Sequence, residues 1–239
     1  MGTGIVVLRE GFEASLVVGI VLAFLNRTGR RDAFFAVWIG VFAAIAISVG
    51  VGIALFAVGA ELEGRAEYIF EGSAMLLAAG LLTWMIFWMR SQARTMRTNI
   101  EGRVGGALGE GSFFALAAVA FVGVLREGIE TALFLFSSAT GTSPLVSTIS
   151  GIVGLGIALA LGYGFYKGSS RLDLRRFFTL TSAILLLFAA WLLARGLEEF
   201  AEAGILPENE IVLWGTFLLL AAPTLWFFFR PLRRKKVPA

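Results

Sequence analysis

Two stretches of this 239-residue chain carry the same charged pattern inside apolar surroundings. "VVLREGFEASLVV" at 6–18 holds Arg9, Glu10 and Glu13, and "GVLREGIETALFLF" at 123–136 holds Arg126, Glu127 and Glu130. Helical side chains turn about 100° per residue, so an arginine and the glutamates one and four positions on share one arc of the surface. Arg9 can pair with Glu13 across one helical turn, with Glu10 beside both. Gly11, between the two acids, allows a neighbouring backbone to come close. Each motif sets two carboxylates against one guanidinium. Facing motifs would gather four carboxylates, Glu10, Glu13, Glu127 and Glu130, with Arg9 and Arg126 as charge-balancing groups. That constellation suits a multivalent cation.

A charge at the centre of a membrane helix costs about 2.5–3.5 kcal/mol on insertion scales. Six such residues therefore need a reason. One reading makes them buried ion pairs that lock helices together. Such pairs are weak stabilisers, and packing alone does not call for an excess of acid. The other reading has the glutamates bind a cation while the arginines position and balance them. The chain contains no cysteine and no histidine. Thiolate and imidazole sites are excluded, and any metal must be held by oxygen, which suits hard ions such as Ca²⁺, Mg²⁺, Mn²⁺ or Fe³⁺.

The elements that position these residues follow from composition. Apolar residues make up 58% of the chain, charged residues only 15%, and the mean hydropathy is +0.84. Soluble domains average roughly 25% charge. The apolar residues fall in runs near the 20 or so needed to cross a bilayer. Seven such runs are expected as helices, at about 4–25, 33–58, 67–89, 113–138, 146–166, 176–198 and 210–229. The first is too long for a signal peptide and is read as a retained helix. The fold class is an all-α polytopic membrane protein forming one transmembrane domain over 1–239. The stretch 90–112 is its longest connection.

Sixteen of the 20 basic residues fall in the first, third and fifth connections and the tail, from Arg27, Arg30 and Arg31 to Lys235 and Lys236. The positive-inside rule then places the N-terminus outside and the C-terminus inside. The acids gather at the opposite side. Glu63, Glu67 and Glu71 form a stripe at four-residue spacing, and Glu198 and Glu202 repeat that spacing. A negative mouth of this kind concentrates cations. The pI of about 9.7 comes from the connecting clusters and does not imply nucleic-acid binding.

The motifs share Val-Leu-Arg-Glu-Gly-x-Glu-x-x-Leu at 7–16 and 124–133. The copies lie on the first and fourth helices, an offset of three, so the second crosses in the opposite direction. This predicts an inverted 3+3 repeat, about 1–89 and 113–200, with an extra helix at about 210–229. Transporters built this way bind substrate where the halves meet. The "LLTWMIFWMR" stretch at 81–90 is read as an interfacial aromatic belt.

The paired Arg-Glu-Gly-x-Glu motif resembles the oxidase-dependent ferric iron permeases of fungi and bacteria. The likeness extends to "FEG" at 70–72, "LTWMIFWMR" at 82–90 (with Leu82 leading), "RLDLRRFF" at 171–178 and "EAG" at 202–204. It implies that both motifs translocate iron, which names Arg9, Glu10, Glu13, Arg126, Glu127 and Glu130. It also carries a role to Glu71. Some relatives have a histidine just before "EAG"; Ala201 stands there in this chain, leaving Glu202 as the acid of that stretch. The resemblance implies Fe³⁺ as the transported ion, a separate extracytoplasmic partner that oxidises Fe²⁺ (multicopper oxidase, cupredoxin or haem type), and a cytoplasmic (inner) membrane location. Iron is then a substrate, and no cofactor is expected.

Other classes fit less well. A retinal protein needs a mid-helix lysine, but the only lysines are Lys167, Lys235 and Lys236, at helix ends. A di-iron enzyme needs Glu-x-x-His pairs. The expectation is a non-enzymatic permease with Glu67, Glu71 and Glu202 lining the way in. The alternatives are a carrier of Mn²⁺ or Fe²⁺, or a metal sensor or scaffold. No nucleotide-binding motif is present to supply energy.

Overall fold

The computed structural model describes residues 2–92, 96–109, 112–139, 144–167 and 174–207, with isolated positions beyond. Seven α-helices account for these: α1 (Gly2–Arg27), α2 (Phe34–Glu61), α3 (Arg65–Gln92), α4 (Met96–Gly109), α5 (Phe113–Ala139), α6 (Pro144–Tyr166) and α7 (Leu174–Glu202). No strand occurs among the described residues. Six of these helices coincide with the first six expected spans. The expected span at 210–229 lies almost wholly outside the described residues.

The helix α4 differs from the sequence expectation, which treated 90–112 as a connection. Its glycines and polar residues hide a short apolar side: Val104 and Ala107 are buried in a cluster with Val21, Leu25, Leu116 and Ala120. Packing against α1 and α5 therefore overrides weak local propensity. At 14 residues α4 is about 21 Å long, too short to span a bilayer. Its Glu101 pairs with Arg27 at the end of α1 at 2.5 Å.

Among the described residues four helices are long and apolar enough to cross a membrane: α2, α3, α6 and α7. The motif helices α1 and α5, with 26 and 27 residues, have the length, and three motif charges in each set them apart from those four. The burial pattern is that of a membrane protein. Phe42, Ile53, Ile152 and Leu180 are more than 60% exposed, whereas Arg9, Glu10 and Glu13 are at most 2% exposed. Water would drive the reverse arrangement; lipid does not.

The main packing pairs are α2 with α5, α1 with α6, and α3 with α7, and α1 then meets α5 at the centre. The contacts of α1 with α5 run antiparallel: Thr3 Oγ1 lies 3.3 Å from Ser138 Oγ, while a Cβ on Gly123 would lie 2.8 Å from Val17. Glycine sets the closeness of two pairs. A Cβ on Gly40 of α2 would stand 2.2 Å from the Ala117 carbonyl oxygen of α5. One on Gly154 of α6 would stand 2.4 Å from the Gly4 carbonyl oxygen of α1. Small residues at such crossings let backbones touch where no hydrophobic force from water holds helices together.

The pair α3–α7 crosses where Gly72 and Gly196 face each other's backbones. Below that crossing Met75, Ala78, Leu82, Met85, Leu185, Ala189 and Leu192 form an apolar core. Gly204 ends α7 at a φ of 70°, where its own amide and that of Ile205 return to the carbonyls of Ala201 and Phe200.

Candidate metal-ion site between the two motif helices

Both motifs lie on regular helix, and the two charged arcs face each other across the α1–α5 contact. Within α1, Arg9 Nε lies 3.1 Å from Glu13 Oε1, and Arg9 Nη1 lies 3.7 Å from Glu10 Oε1. Within α5, Arg126 Nε donates to Glu130 Oε1 at 2.9 Å and lies 3.9 Å from Glu127 Oε1. The one-turn arginine–glutamate spacing thus forms the same pair in each copy.

The carboxylates converge across the helix pair. One oxygen from each of Glu10, Glu127 and Glu130 lies within 4.8 Å of the other two. All three residues are buried. Both oxygens of Glu10, Oε2 of Glu127 and Oε2 of Glu130 are buried without a hydrogen-bond partner. A buried carboxylate oxygen left in this state is costly, and a cation among the three would satisfy it. Glu13 lies near these acids but is not one of the converging three, and it pairs with Arg9.

The motif glycines let the partner helices close over the site. A Cβ on Gly11 would lie 3.1 Å from Ala158 Cβ of α6, and one on Gly128 would lie 2.7 Å from Ser48 Cβ of α2. Phe12, 1% exposed, seals the next position and packs edge-on against Phe177.

The two arginines are not alike. Arg9 is enclosed, at 1% exposure, and its Nη2 donates to the Met89 thioether at 3.6 Å. The Arg126 side chain is 32% exposed and lies over the Trp88 ring. Removing Arg9 leaves Glu13 buried beside three other acids, which for a broken buried pair costs about 3–5 kcal/mol. We expect Arg9→Leu to lower the melting temperature in detergent clearly more than Arg126→Leu; an equal drop would show that the burial difference has no energetic weight.

The remaining expected site residues form a second group at the α3–α7 crossing. Glu71 is half-buried and within electrostatic range of Glu67, Glu202 and Arg195. Glu202 itself is exposed. Glu63 is corrected: it precedes α3, because Gly64 turns the chain there with a φ of 59°, so the stripe begins at Glu67. Glu199, 4% exposed, was missed. It sits beside Gly72 and within range of Glu71 and Glu202. Its signal was available: Arg195 and Glu199 repeat the four-residue spacing of Arg9 and Glu13. They lie 3.9 Å apart, and Arg195 also pairs with Glu198.

Residues 1–216 match the Iron permease FTR1 family. The chain belongs to that family. It is 36% identical over 224 residues to the ferrous iron permease EfeU of Escherichia coli O6:H1 (strain CFT073), covering 93% of this chain and 81% of that protein. It is 35% identical over 203 residues to the ferrous iron permease EfeU of Yersinia pestis, covering 84% of this chain and 72% of that one. No solved structure matches. As an FTR1-family member with four long apolar helices, the chain is a multi-pass membrane protein.

Proposed function

We propose that this chain carries iron across the cytoplasmic membrane through a cage built by Glu10, Glu127 and Glu130, with Glu13 as a fourth carboxylate. The observation that carries this reading is the convergence of three buried carboxylates, from two separate motifs, on one point with four oxygens unpartnered. Iron is the substrate of the cage. Arg126 competes with it for Glu127 and Glu130, so that binding stays weak enough for release. Glu67, Glu71 and Glu202, joined by Glu199, form the negative approach on the extracytoplasmic side. The reaction is transport, without chemical conversion of the ion by this chain.

The proposed topology is the inverted 3+3 repeat, α1–α3 and α5–α7, with α4 lying along the cytoplasmic face and a further helix near 210–229. Antiparallel α1 and α5 support it. So does the exchange of partners: α1 with α6 and α2 with α5 are the same contact if the halves are interchanged. The basic residues then lie inside and the N-terminus outside.

The proposed ion is Fe³⁺, delivered by a separate extracytoplasmic oxidase of cupredoxin or haem type; an all-oxygen, multiply charged cage suits so hard an ion. A second reading, Fe²⁺, has its own support. The EfeU relatives are named ferrous iron permeases, and four carboxylates against two arginines leave a charge that one divalent ion neutralises. Flux of labelled iron into liposomes holding the full chain tests the reading, with Fe²⁺ kept reduced by ascorbate, Fe³⁺ on a weak chelator, and Mn²⁺ compared. Fe³⁺-selective flux is expected. Selective Fe²⁺ flux moves the assignment to the second reading, and equal Mn²⁺ flux removes the iron assignment.

A further inference from the structure

The carboxylate cage leaves one contact without a role. Near its C-terminal end α3 places Trp88 under Arg126, with the guanidinium carbon 4.8 Å from the ring centroid and 5.9 Å from that of Trp84. The two indoles stack on each other at 6.0 Å. Composition and position suggested an interfacial belt here. Both rings are indeed partly exposed on the outside of the bundle, but Trp88 also reaches a motif arginine.

We infer that Trp88 is a positioning residue for transport: it is the seat that Arg126 takes when the cation claims Glu127 and Glu130. This rests on the cage reading. Arg126 contacts two of the three converging carboxylates, at 2.9 and 3.9 Å. A cation bound by all three must displace it from them. A guanidinium moved aside in apolar surroundings needs another partner, and its Nη2 is already buried without one.

A carboxylate in that place would trap the arginine and would itself compete for the ion. An indole face attracts the cation of arginine through its quadrupole and carries no net charge, so it holds Arg126 without joining the ligand set. Arg9 shows the contrast. It is enclosed, its Nη2 donates to the Met89 thioether, and its nearer carboxylate, at 3.1 Å, is Glu13, outside the converging trio, with Glu10 at 3.7 Å. The first motif therefore encloses its arginine, whereas the second leaves its arginine partly exposed and free to yield.

The test measures both iron flux and equilibrium binding of radiolabelled iron by the full chain in liposomes. Trp88→Leu, Trp88→Phe, Arg126→Gln, the double variant and Glu10→Gln are compared with the unaltered chain. Trp88→Leu should raise the half-saturating iron concentration about fivefold, with maximal flux changed by less than about twofold. Trp88→Phe should recover part of that loss. In the Arg126→Gln background Trp88→Leu should have no further effect, since coupled residues are non-additive. If Arg126→Gln carries no flux, the binding assay completes the comparison. A Trp88→Leu shift of the same size without Arg126, or no shift in either assay, overturns the inference. Full iron binding and flux in Glu10→Gln would instead remove the cage itself, so the two failures are distinguishable.

Discussion

Glu10→Gln is expected to reduce iron flux at least about a hundredfold, in protein that still inserts and folds, since loss of a ligand should exceed the 10–100-fold effects of its supporting shell. Glu10 is 0% exposed, and neither of its oxygens accepts a hydrogen bond. Its nearest cation, Arg9 Nη1, is 3.7 Å away. Glutamine keeps the shape and removes the charge that the ion needs. The empty protein should be as stable as before or more so, because an under-compensated buried charge has been removed. The two readouts together separate ligand from ion-pair roles. Flux lost at unchanged melting temperature is the signature of a ligand. Flux and stability lost together would make Glu10 a structural ion-pair partner. Unimpaired flux at unchanged stability would sink the cage.

Gly154→Ala is the second large effect, and it acts through packing. The added methyl would stand 2.4 Å from the Gly4 carbonyl oxygen and 3.1 Å from the Leu8 amide nitrogen, both backbone atoms of α1. Neither can turn aside as a side chain can, so α6 must move away from α1 one turn before Arg9. Overpacking of this kind costs about 1–3 kcal/mol. Gly156, two positions on along α6, has open space where its Cβ would be. Gly156→Ala should leave stability unchanged or raise it by up to about 1 kcal/mol. Melting in detergent compares the two. Equal effects would mean that the α1–α6 approach is looser than the structure has it.

Much of the site was legible in the sequence because its signal is local. Arg9 with Glu13 and Arg126 with Glu130 sit one helical turn apart, and helix geometry alone makes them pairs. The excess of acid is what points to a cation. What the sequence could not give was the choice among carboxylates: Glu10, Glu127 and Glu130 converge while Glu13 does not, and that depends on how α1 and α5 are rotated against each other. The helix α4 was obscured by its glycines, since its stability comes from Val104 and Ala107 packing on residues far along the chain. Glu199 was passed over for Glu198 and Glu202 because spacing along one helix says nothing about a second helix crossing at Gly72.

The partner exchange among the helices has a mechanical consequence. With α1 laid against α6 and α2 against α5, residues 2–61 and 113–166 are braided, and neither set can hinge away without tearing both contacts. The α3–α7 pair, by contrast, is joined chiefly to itself, with lighter contacts to α5 and α1. Among the described helices the lightest seam therefore runs between a four-helix block and a two-helix arm. That arm carries the acids Glu71 and Glu199 toward one end and Trp88 and Met89 toward the other. A small slide of the arm would shift the supports of both motif arginines at once while leaving the carboxylates where they are.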